Sequence, residues 1–147
     1  MPDNRDIKNI KVNIFLKILL FIWELPQTFL ACIIIIFTRK KVVGKETFGK
    51  TKIFYAKNFP GGISLGRFII LNSIYINDEM TKKHEYGHSI QSMYLGWLYL
   101  IIVGLPSIIR VAIWELLKLE NSDYYRGYPE NWADKLVAHR KEITKRP

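Results

Sequence analysis

The segment Thr81-Lys82-Lys83-His84-Glu85-Tyr86-Gly87-His88 places two histidines four residues apart, with a carboxylate beside the first. On a helix, that spacing puts both imidazoles on one face, one turn apart, where they can share one zinc ion. Glu85 points to the side of that face. There it can take a proton from water whose pKa the zinc has lowered, without ligating the metal itself. A structural site has no use for such a carboxylate. The pattern HExxH therefore reads as hydrolytic zinc chemistry, with His84 and His88 as ligands and Glu85 as general base.

Zinc needs a third protein ligand and an open fourth position. The longer pattern HExxHxxGxxH is absent, because Gln91 and Tyr94 occupy its Gly and His positions. The best candidate lies downstream in Glu130-Asn131-Trp132-Ala133-Asp134. Glu130 and Asp134 fall one turn apart, so Glu130 can ligate while Asp134 orients a ligating histidine. Ala133 lets that helix approach closely, as Gly87 does on the first. The rival third ligand is His139, and the alternative reading of the pair is a solvated acidic face.

The elements that must bring these residues together follow from patterning. Asn77 or Asp78 can cap a helix running to about Leu95, and Pro129-Glu130 opens a second helix. Ile53-Phe54-Tyr55 and residues 63–71 read as strands around a turn at 58–62. The expectation is an α+β fold: one mainly helical domain over 1–147, with a small antiparallel hairpin or sheet before the HExxH helix.

Two apolar zones, 14–37 and 97–117, are each about long enough to cross a bilayer core, which takes ~20 residues. Pro26 and Pro106 interrupt them near their midpoints. Arg5, Lys8, Lys11 and Lys17 precede the first zone and Arg39, Lys40 and Lys41 follow it, which suits a hairpin with both ends cytoplasmic. The second zone separates His88 from Glu130. A clean crossing would carry its end ~30 Å away from its start. Either the zone turns back at Gly104-Leu105-Pro106, or it packs flat as interfacial helices, or Glu130 is not the ligand. The expectation is a re-entrant or interfacial hairpin, and Arg110 within the zone also argues against a clean span.

Composition agrees with a membrane partner. Hydrophobic residues make up 49% of the 147 and aromatics 14%, yet the net charge is +9. Basic and oily segments alternate, as they do where anionic headgroups meet an apolar core. Nucleic acid is not expected, since the aromatics lie inside apolar runs and not on a basic face. The lone Cys32 excludes an intrachain disulfide, and no cleavable signal peptide is expected.

HExxH followed by ExxAD resembles the membrane gluzincin metallopeptidases, the CAAX prenyl proteases and bacterial heat-shock membrane proteases. The likeness rests on His84, Glu85, His88, Glu130, Ala133 and Asp134 and covers residues 78–138 at most. It implies a zinc peptidase of the membrane acting on a peptide or protein substrate, and the basic flanks of the first zone lead to the expectation of an active site on the cytoplasmic side of the cell membrane. It also implies Glu130 as third ligand and a strand, here 62–66, that pairs with the substrate backbone. The chain has far fewer apolar segments than those enzymes. The site-2 protease pattern fits less well, for its downstream Asp-Gly motif is missing. The competing expectation is a non-enzymatic membrane binding, immunity or scaffold protein with a structural metal or none.

Overall fold

The structure, a computed structural model, describes residues 4–117 and 127–138, with side chains from residue 14 onward. His139, the rival third ligand, lies outside the described residues. The fold is α+β and mainly helical, with a small sheet preceding the HExxH helix.

The sheet contains β1 (Val42–Phe48), β2 (Thr51–Ala56), β3 (Gly62–Leu65) and β4 (Phe68–Asn72) in the order β1-β2-β4-β3. The expected antiparallel hairpin between Ile53-Phe54-Tyr55 and 63–71 is not formed. Residues 63–71 instead fold back on themselves at Gly66, whose φ of +60° suits a tight turn. Strand β4 then inserts parallel to β2, pairing Ile53 with Ile69 and Tyr55 with Leu71, so the sheet is mixed. Strand β1 is an addition to the expectation, turned onto β2 at Gly49.

Helix α1 (Asn4–Trp23) meets α2 (Leu25–Thr38) at Glu24, where the chain bends by 65°. Pro26 stands in the first turn of α2, the position where a missing N–H costs least. The bend is tied to the body by polar contacts. Arg67 Nε reaches the buried Glu24 carboxylate at 3.3 Å, and the Gln27 amide donates to the Gly96 carbonyl.

Helix α3 (Glu79–Leu95) starts at Asp78, whose Oδ1 accepts from the amides of Met80 and Thr81. Its inner face packs Tyr86 and Ile90 against Phe48, Ile53, Tyr55, Ile69 and Leu71 of the sheet. Buried Lys82 binds Glu46 at 3.1 Å, and Glu46 also accepts from Tyr55. This network fastens the first turn of α3 to β1. On the other sheet face, Leu65 packs with Ala31 of α2 and with Tyr99 and Val103.

The second apolar zone departs from the expected hairpin. Residues 100–104 form a π-helical stretch that runs on into α4 (Leu105–Leu117) without turning back. Leu100–Leu117 is thus an 18-residue helix, long and apolar enough to cross a bilayer, and only 6% of it is buried. The expectation assumed that Glu130 must return to the start of the zone. In fact it meets the helix at Ser107. From Leu117 back to that level is ~15 Å, a distance the intervening segment can cover easily.

Candidate metal centre

Helix α5 (Glu130–Ala138) lies across α3, and two small residues let it do so. A Cβ on Gly87 would stand 2.3 Å from the Ala133 carbonyl oxygen, so the two backbones touch there. Helices that approach this closely can join side chains as short as a glutamate and a histidine across their interface. The chain before α5 rests on the apolar helix. The Tyr128 hydroxyl donates to the Ile102 carbonyl, an acceptor that Pro106 cannot serve for want of an N–H. Tyr128 is therefore committed to this contact and to stacking on Trp132.

This packing brings His84, His88 and Glu130 together, as a group that can hold a metal ion. Glu130 Oε2 lies 3.0 Å from His84 Nε2 and 2.9 Å from His88 Nε2, and the two ring nitrogens are 3.2 Å apart. All three side chains are largely withdrawn from solvent, Glu130 almost completely.

The outer hydrogen bonds decide where the ring protons are. His84 Nδ1 lies 2.8 Å from Asp134 Oδ1, a carboxylate that can only accept. His88 Nδ1 lies 2.8 Å from Gln91 Oε1, while the Gln91 amide nitrogen donates to the Pro129 carbonyl. Both Nδ1 atoms must therefore donate, which leaves both Nε2 lone pairs bare and directed at Glu130 Oε2. With both imidazoles neutral, the three facing atoms are all acceptors. Such a cluster can hold a metal ion at its centre.

Without a metal, a proton takes that place. Burial acts to lower the His84 pKa, but the Glu130 hydrogen bond and the charges of Glu85 and Asp134 outweigh it and raise it to about 9. Burial likewise acts to raise Glu130, yet hydrogen bonds from His84, His88 and Ser107 hold its carboxyl well below the usual range. The centre is built to keep negative charge and accept positive charge.

Glu85 is not in the ligand group. Its buried carboxylate turns toward β3, where Ser64 Oγ lies 2.6 Å from Oε2. A Cβ on Gly62 would stand 2.3 Å from Oε1, so only glycine leaves room for the carboxylate there. Strand β3 is a sheet edge, and Tyr99 donates to its Ser64 carbonyl.

Gln91, Ser107, Ser64 and Gly62 are site-building residues that sequence reading did not single out in these roles. Gln91 shares the helix face of His88 three residues away, a signal that could have found it. The others come from separate elements and carry no spacing signal. No known protein family, curated protein or solved structure matches the chain.

Proposed function

We propose that the chain is a zinc-dependent metallopeptidase acting at a membrane. The observation that carries this reading is the convergence of His84 Nε2, His88 Nε2 and Glu130 Oε2 within 3.2 Å of one another, with a buried, non-ligating carboxylate next in sequence to His84. Zinc suits the donor set. Two neutral imidazoles and one carboxylate are a known catalytic combination, and donors on one tetrahedral zinc stand ~3.3 Å apart, given bonds of about 2.0–2.1 Å. The distances here, 2.9 to 3.2 Å, are close to that. Bound at this centre, the ion would supply a Lewis acid that polarises a peptide carbonyl and acidifies water.

The chain's own residues do the rest. Glu85 takes the proton from water and returns it to the leaving amine, the cycle of a general base that becomes an acid. Ser64 fixes the carboxylate for that task, and Asp134 and Gln91 hold the imidazoles in the ligating tautomer. At the β3 edge the Ser64 carbonyl is taken by Tyr99, but Gly62 is exposed next to Glu85 and can pair its backbone with an extended substrate. This arrangement favours a peptide over other hydrolysable substrates.

The membrane part of the reading rests on the apolar helices. Residues of α1 such as Phe15, Phe21 and Ile22 are 60–66% exposed, and α4 is exposed along most of its length. Arg39, Lys40 and Lys41 follow the exposed Phe37 at the end of α2, where headgroups would lie.

Cleavage of a quenched-fluorescent peptide library by protein in lipid nanodiscs tests the activity. Wild type should cleave, a chelator should stop it and zinc should restore it. Glu85→Gln should bind zinc and cleave nothing. Equal cleavage by wild type and Glu85→Gln would remove the peptidase reading.

A further inference from the structure

Glu130 divides its two oxygens between different partners. Oε2 faces both histidine nitrogens, whereas Oε1 accepts from Ser107 Oγ at 2.7 Å. Ser107 belongs to the apolar helix α4, and a helical serine can ordinarily satisfy its hydroxyl on a carbonyl one turn back. Here the hydroxyl is turned outward to the ligand. Two contacts on the same stretch of helix fix its distance from Glu130. Tyr128 docks on the Ile102 carbonyl, and the backbone at Gly127 lies against the Arg110 guanidinium, where a Cβ would stand 2.3 Å from Nη1. Ser107 lies between these anchors in sequence.

A carboxylate can ligate a metal through one oxygen or both. A hydrogen bond at Oε1 holds that oxygen off the metal and favours ligation through Oε2 alone. The difference matters at a hydrolytic centre, because two oxygens from Glu130 would fill a position that substrate or water needs. We propose that Ser107 is a positioning residue of the metal centre, holding Oε1 of Glu130 so that the carboxylate ligates through Oε2 and a coordination position stays open. The proposal rests on the reading of His84, His88 and Glu130 as a metal centre.

Cobalt(II) substitution tests it, because visible absorption of cobalt weakens as its coordination number rises above four. Wild type, Ser107→Ala and Ser107→Thr are loaded in the same micelles, and both spectrum and metal affinity are read. Ser107→Ala should lose absorption intensity and change affinity by about 10–100-fold, the usual effect of removing a ligand's hydrogen-bond partner. Ser107→Thr, which keeps the hydroxyl, should restore both. Ser107→Ala with a wild-type spectrum and affinity overturns the proposal and leaves the metal centre standing. A wild type that takes up no cobalt removes the metal centre, and the proposal with it.

Discussion

Gly87 and Ala133 touch backbone to backbone: a Cβ added to Gly87 would lie 2.3 Å from the Ala133 carbonyl oxygen and 2.6 Å from its carbon. Neither residue ligates anything, yet their contact sets the distance between the two ligand-bearing helices. Gly87→Ala must push α5 away from α3, because the obstacle is main chain and cannot rotate aside. The expected cost is about 1–3 kcal/mol of stability, as for overpacking elsewhere, with weakened metal binding because Glu130 moves with α5. Thermal unfolding and metal titration of the variant check both effects.

Glu85, the proposed general base, has a similar dependence on a missing side chain. Gly62→Ala brings a methyl group to within 2.3 Å of Glu85 Oε1 and must displace the carboxylate. Metal content should stay at the wild-type level, since Glu85 is not a ligand. Turnover should fall by roughly 10²-fold, the scale of an ångström-sized misplacement of a reacting group. Peptide cleavage beside zinc analysis separates the two outcomes.

The outer hydrogen bonds should matter for affinity. Asp134→Ala removes the acceptor at His84 Nδ1, and Gln91→Ala removes the acceptor at His88 Nδ1 and one of the donors to the Pro129 carbonyl. Each should weaken zinc binding by about 10–100-fold. Competition against a chelator of known affinity measures this directly.

Much of this centre is legible in the sequence, and the reason is locality. His84, Glu85 and His88 share one helix, and Glu130, Ala133 and Asp134 share another, so 3.6-residue periodicity alone orders each set. The helix start at Asp78 is legible for the same reason. The sheet is not, because the parallel pairing of β2 with β4 depends on contacts between segments that local patterning does not relate. Gly66 lies in an apolar run that reads as one strand, and its turn separates β3 from β4. Ser64 and Ser107 are single hydroxyls on separate elements, brought to Glu85 and Glu130 by tertiary packing. The expected reversal at Gly104-Leu105-Pro106 fails for a geometric reason: the centre docks partway along the apolar helix, so the chain has little distance to recover.

Metal binding should depend on pH with a definite sign. The metal-free His84 has a pKa raised to about 9, so it carries a proton at neutrality that the metal must displace. That proton stabilises the metal-free fold fully below pH ~6.5, and the contribution is lost as pH rises through 9. Metal affinity should therefore rise by about tenfold per pH unit between 7 and 9. Chelator-buffered titrations across that range check it, and a flat profile would contradict the protonated state of His84.

His84, His88 and Glu130 are proposed to form a zinc centre served by Glu85. The most direct test is the zinc content of purified protein, by elemental analysis against protein concentration. One zinc per chain is expected in wild type and in Glu85→Gln, and none retained in Glu130→Ala. Wild-type protein that holds no stoichiometric zinc, even after exposure to the metal, would contradict it.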